Sequence, residues 1–199
     1  MNKEEVTKEI LVDFAFVKRK SEYNILQLKK ELSKSKKYPF IKAYDYIAPK
    51  TKNTWVYILE IRNKNDIFQI FVNYHFNSKG LMAGLVNNDL TIVFYTGHFF
   101  QRFVEREKLE IVTPPEKIKE YFIQNPIINY EATLLEDGAQ EIIGTVKTGV
   151  VLGIKNKKGM LICNTYLSNE MLRTDQTLIT KGLKAELDNY VEMEKRGLI

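Results

Sequence analysis

Apolar residues recur at helical intervals along the first third of the chain. Val6, Ile10, Phe14 and Val17 are separated by four, four and three positions, and Ile25, Leu28 and Leu32 resume the line after Ser21. Such spacing gathers apolar side chains into one stripe of a helix. With Ser21 suited to an N-cap, the pattern predicts one long helix or two consecutive helices over residues 1–36. The stretch Lys36-Lys37-Tyr38-Pro39 ends it, because proline disfavours helical geometry in the residue before it.

Beyond Pro39 the residues become β-branched and aromatic, in runs at 55–61, 67–72, 81–86 and 90–95. The intervening Asn63-Lys64-Asn65-Asp66, Asn77-Ser78-Lys79-Gly80 and Asn87-Asn88-Asp89 tolerate turn geometry and are too short for a crossover helix. Residues 38–95 are therefore expected to form an antiparallel meander. Residues 96–125 read as central helices. The first runs from Thr96-Gly97 to about Lys108 with Phe99, Phe100, Phe103 and Val104 as its stripe. The second starts at Pro114-Pro115, buries Ile118, Tyr121 and Phe122, and stops at Asn125-Pro126.

A second meander follows over 127–168, with strands near 128–134, 140–146, 150–154 and 160–167. A long terminal helix over 175–197 carries Leu178, Ile179, Leu183, Leu187, Tyr190 and Val191 and reaches Gly197 as a C-terminal cap. The expected fold class is α+β: an antiparallel meander sheet with an N-terminal helix or helices, a central helix bearing histidine and arginine, and a long C-terminal helix. No internal repeat or low-complexity segment divides the chain, so one domain over 1–199 is expected.

An apolar content of 44% supports a sizeable core and argues against disorder. Cys163 is the only cysteine, which excludes an internal disulfide. The charged start Met1-Asn2-Lys3-Glu4-Glu5 is unlike a signal peptide, and no apolar run approaches the roughly 20 residues that span a bilayer. A cytoplasmic location is the resulting expectation, with no membrane partner.

The net charge of +5 has a local source: Lys18, Arg19, Lys20, Lys29, Lys30, Lys34, Lys36 and Lys37 stand against Glu22 and Glu31. Two readings remain open. Lys18, Arg19, Lys20, Lys29, Lys30, Lys36 and Lys37 would attract RNA by counterion release, or they are a solvated face of a lysine-rich helix.

Candidate chemistry centres on Thr96-Gly97-His98-Phe99-Phe100-Gln101-Arg102-Phe103-Val104-Glu105-Arg106. His98, Arg102 and Arg106 recur every four residues, so a helix makes them neighbours in a row about 12 Å long. Histidine is the usual general base at neutral pH, and arginine binds phosphate in a planar fork that lysine lacks. The same row lies opposite and beside the phenylalanine stripe, so a plain polar face, with Glu105 or Glu110 pairing the arginines, is the competing reading.

The His-x3-Arg-x3-Arg helix, followed by an antiparallel sheet whose late strand ends in hydroxyl residues, resembles the barnase/EndoU/colicin/RelE superfamily of metal-independent ribonucleases over roughly residues 95–168. That resemblance implies catalysis by His98, Arg102 and Arg106 with Thr165, Tyr166 or Ser168 from the strand at 160–167 and its exit. It implies RNA as substrate, a 2′,3′-cyclic phosphate product, and neither metal nor cofactor. A protein partner, such as an antitoxin, would then accompany it. The alternative is a non-catalytic binding or accessory module with a basic surface.

Two other residues have weaker claims. His75 is the only second imidazole and is expected at a strand end. Cys163, in an apolar strand, reads as an inert thiol. No zinc-ligand spacing, phosphate-binding glycine loop or dinucleotide fingerprint occurs.

Overall fold

A computed structural model describes residues 3–35, 37–172 and 174–196. The class is α+β: four α-helices and nine strands occur among the described residues. They fall into two compact units, Met1–Val93 and Phe94–Ile199.

The first unit opens with α1 (Lys3–Ser35), a single helix. Ser21 is not a cap. It lies mid-helix and is fully buried, its hydroxyl within hydrogen-bond distance of the Lys18 carbonyl (2.7 Å) and of Gln69 Oε1 (2.9 Å). A serine that finds partners of this kind does not have to break the helix. Four antiparallel strands follow in spatial order: β1 (Phe40–Ile47), β2 (Thr54–Ile61), β3 (Ile67–Asn77) and β4 (Gly80–Val86).

Strand β1 was not expected from the pattern. It is an edge strand with exposed Ile41, Lys42, Asp45 and Ile47, so one-sided burial never imposed a clean alternation. Strand β3 runs further than the apolar pattern, so His75 sits within the strand opposite Met82. The buried side of α1 comprises Ile10, Asp13, Val17, Ser21, Ile25, Leu28 and Leu32. Phe14 packs on Trp55 and edge-on against Phe71.

Buried Asp13 accepts from Thr51 Oγ1 (2.6 Å) and Asn53 Nδ2 (2.8 Å), which ties α1 to the β1–β2 turn. These two hydrogen bonds satisfy the buried carboxyl group.

The second unit contains β5 (Ile92–Thr96, which begins at the boundary), α2 (Gly97–Arg106), α3 (Pro114–Gln124), β6 (Asn129–Leu134), β7 (Gln140–Thr145), β8 (Gly149–Lys155), β9 (Leu161–Ser168), a 3-10 turn at Asn169–Met171 and α4 (Thr174–Lys195). Its strands lie in the order β5-β9-β8-β7-β6, and β6 to β9 form a continuous antiparallel meander. The C-terminal cap expected at Gly197 lies outside the described residues.

Helix α2 buries the anticipated Phe99, Phe100, Phe103 and Val104. These rings meet Tyr95, Tyr121, Phe122 and Tyr166 mostly edge-to-face. That geometry suits aromatic quadrupoles and adds to the area term. Asn129, on the face of the sheet away from this cluster, donates to the Leu183 carbonyl and to Glu186 of α4. Among the described residues no helix is long and apolar enough to cross a membrane.

Candidate functional site

Helix α2 is positioned at both ends. At its start Thr96 Oγ1 caps the helix by accepting from Phe99 N (3.2 Å), and the same hydroxyl donates to the Asn164 carbonyl of β9 (3.3 Å). At its end Tyr166 of β9 donates to Glu107 (2.6 Å). Between these points the phenylalanines face the sheet, so His98, Arg102 and Arg106 are directed away from it or to its side.

The row divides into two environments. His98 is exposed, and Arg102 Nε donates to His98 Nε2 across 3.4 Å, a long and weak bond. Arg102 also forms an ion pair with Glu105 (2.9 Å). The hydrogen bond from Gln101, followed by the one from Arg102, holds the Glu105 carboxyl below its usual range.

Arg106 is different. It is half-buried, its Nη1 is enclosed without a hydrogen-bond partner, and no carboxylate closes an ion pair on it among the described residues. Burial, followed by the nearby Arg102, lowers the affinity of this guanidinium for its proton relative to its ordinary value. A partly desolvated guanidinium with one enclosed nitrogen unpartnered, opposed by the nearby Arg102 and eased by the charge of Glu105, is a site where a bound anion would be favourable.

Tyr166 comes next to Arg106 electrostatically, but it is 0% exposed. Its hydroxyl donates to Glu107 and lies 2.9 Å from Thr148 Oγ1, which in turn contacts Asn125 Oδ1 at 3.0 Å. Burial, followed by the Glu107 hydrogen bond, pushes its pKa far above the ordinary phenol value. A hydroxyl enclosed and engaged in this way holds the end of α2 against β9.

Thr165 is half-exposed and pairs with Leu152. Because side chains alternate along a strand, it lies on the sheet face opposite Tyr166 and therefore opposite α2. Of the expected strand hydroxyls, the structure brings Tyr166 to the row and leaves Thr165 on the other face. Ser168 is buried opposite Gly149.

Sequence reasoning missed Glu107, Thr148 and Gly149 beside the Tyr166 hydroxyl and Asn125 behind Thr148. Asn125 registers in sequence only as a helix stop. Its backbone does end α3, but its side chain also accepts from both the backbone and hydroxyl of Thr148. Gly149 has a sharper reason for being glycine: a Cβ there would meet the Leu167 carbonyl at 2.2 Å and the Tyr166 hydroxyl at 2.6 Å.

The basic residues belong to the other unit. Lys18, Arg19, Lys20, Lys29 and Lys30 are exposed on α1, Lys37 is exposed beyond it, and Lys36 lies outside the described residues. Measured around the helix from its buried line, Lys18 and Lys29 occupy one flank, Lys20 the other, and Arg19 and Lys30 the outer side. They surround α1 on three sides instead of forming one track.

His75 is half-buried, and burial lowers its pKa. Burial pushes the Cys163 thiol up to about 12, against the opposing contact with Tyr95, which makes it a poor nucleophile. Among the described residues no three histidine, cysteine, aspartate or glutamate side chains are grouped to hold a metal ion. A groove of about 380 Å³ is lined by Glu110, Ile111, Glu116, Lys119 and Glu120, none of them a member of the row. No protein-family model, curated protein or solved structure matches the chain.

Proposed function

We propose that the chain is a metal-independent endoribonuclease, a toxin-like RNA-cleaving domain whose chemistry is carried by α2. The observation that supports this reading is Arg106: a half-buried guanidinium with an enclosed, unpartnered nitrogen, in line with an exposed His98 that already contacts Arg102. The row can receive phosphate at its arginines while the histidine stands over solvent.

In this scheme His98 removes the proton from a ribose 2′-hydroxyl. The new oxygen–phosphorus bond forms as the bond to the 5′-oxygen breaks, and that oxygen leaves as a hydroxyl with a proton taken from water, while His98 later returns its own proton to solvent. The products are a 2′,3′-cyclic phosphate and a 5′-hydroxyl end. Arg102 and Arg106 stabilise charge on the phosphorane-like state, and for this Arg102 must leave both Glu105 and His98 Nε2 for the phosphate, which frees that nitrogen to take the proton. Tyr166 contributes indirectly by fixing the end of α2.

The test is cleavage of end-labelled RNA in EDTA. Purified protein is expected to cleave, and His98→Ala to abolish cleavage by a factor of about 10² or more, typical of a lost general base, with the thermal midpoint unchanged because His98 is exposed. Absence of cleavage by the unaltered protein over varied RNAs overturns the reading.

A second reading, a non-catalytic RNA-binding or protein-binding accessory module, draws on the exposed cations of α1. It predicts salt-sensitive RNA binding that survives loss of His98.

A further inference from the structure

Helix α1 has a second apolar side that the fold of its unit does not use. Val12, Phe16, Tyr23 and Leu26 are 60%, 36%, 54% and 61% exposed. Together with Arg19 and Lys30 they occupy positions 12, 16, 19, 23, 26 and 30, alternate steps of four and three that trace one line along a helix. This line lies opposite Ile10, Val17, Leu28 and Leu32, the side that is buried. Single exposed apolar residues are ordinary. Four large ones in register over about 21 Å of helix are a contiguous strip.

The charges bordering the strip are mostly positive. Arg19 and Lys30 stand in the line itself, Lys18 and Lys29 on one flank and Lys20 on the other, with Glu22 and Glu31 as the exposed acids nearby. Lys20 lies over the Tyr23 ring at 4.9 Å, and Lys50, from the β1–β2 turn, over the Phe16 ring at 6.0 Å.

We propose that this side of α1 docks an acidic amphipathic helix of another polypeptide, one that presents an apolar line with carboxylates placed to meet Arg19 and Lys30. Three features select that occupant. Alternating steps of four and three, averaging 3.6 residues from position 12 to position 30, keep the line straight along one face of α1, the kind of surface on which a second helix packs. A wholly apolar surface would bury Arg19 unpaired in the middle of the strip, which costs more than the contact returns. RNA would satisfy the cations and leave Val12 and Leu26 facing phosphate, and a second copy of the chain would set positive against positive.

The inference is independent of the ribonuclease reading. Its test uses the full chain and a fluorescein-labelled helical peptide of about three heptads, with leucine on its seam and glutamate opposite Arg19 and Lys30. The comparison probes are the same peptide with lysine for glutamate, phosphatidylserine vesicles and single-stranded RNA.

The acidic peptide is expected to bind at least about tenfold tighter than its lysine counterpart, equivalent to about 1.4 kcal/mol. The Val12→Glu/Leu26→Glu double variant, and separately Arg19→Glu, are expected to reduce that binding by a similar factor while the thermal midpoint stays within error, since all three side chains are exposed. Equal binding of the two peptides, or indifference to these substitutions, overturns the proposal. So does binding of vesicles or RNA at this face without the acidic peptide, or self-association that Leu26→Glu removes.

Discussion

At the scale of single residues, the candidate site is decided by which polar groups already have partners. The Tyr166 hydroxyl has two and no exposure, whereas Arg106 has a buried nitrogen with none. Neither condition can be read from residue type, because a strand-end tyrosine and a helix arginine are equally plausible phosphate ligands in sequence. His75 illustrates the same dependence on surroundings and yields a pH effect. Burial lowers its folded-state pKa below the unfolded value, so the unfolded chain binds the proton more readily. Stability is therefore complete above about pH 6.5, the ordinary imidazole value, and falls as pH drops from there toward the folded-state value. Thermal midpoints at pH 8 and pH 5 should show a smaller acid-induced decrease for His75→Gln than for the unaltered chain. An identical decrease in both would mean that other groups carry the acid sensitivity.

At the scale of elements, the fastening of α2 to β9 passes through a hairpin that has no room to give. Gly149 begins β8 directly against the Leu167 carbonyl and the Tyr166 ring. Gly149→Ala should lower stability by about 1–3 kcal/mol, the usual range for forcing an extra group into a close-packed site, measured by denaturant unfolding. If the nuclease reading holds, it should reduce cleavage as well, because the displaced tyrosine is what holds Glu107 and the end of α2. Retention of full stability would mean that the hairpin relaxes freely.

The elements themselves were legible wherever one face of a long periodic segment is buried: α2 with Phe99, Phe100, Phe103 and Val104, α3 with Ile118, Tyr121 and Phe122, and the second meander. Legibility failed at β1, whose edge position leaves Lys42 and Asp45 exposed among its apolar residues. It failed also at Ser21, where a cap-like residue is absorbed into a helix by tertiary partners on β3. For the site, the spacing of His98, Arg102 and Arg106 was visible because it is local. The Glu107–Tyr166–Thr148–Asn125 chain was not, because its members are brought together only by the sheet.

At the scale of the whole molecule, if the ribonuclease reading holds, the net charge of +5 and its concentration in α1 leave two sets of cations that an RNA strand could use. The two alternatives differ in salt dependence. If Arg102 and Arg106 make the phosphate contacts alone, log kcat/KM should fall against log salt with a slope of about −1.4, two contacts on a single strand. A fourfold increase in sodium chloride then lowers kcat/KM by about sevenfold. A slope twice as steep would require cations beyond the two arginines of the row.

The double fastening of α2 also constrains the chain in a way unrelated to side-chain chemistry. Thr96 is joined to β9 at Asn164 and Glu107 at Tyr166, so the segment between them is a gauge block of set length. One inserted residue turns everything after it by about 100°. It would release one fastening or turn Arg106 away from its half-buried position, whichever residue was added. Substitution on the outer surface of this helix is therefore far easier to accommodate than any change in its length, and the interval from His98 to Arg106 is maintained by the two ends of the segment, not by the residues that would use it.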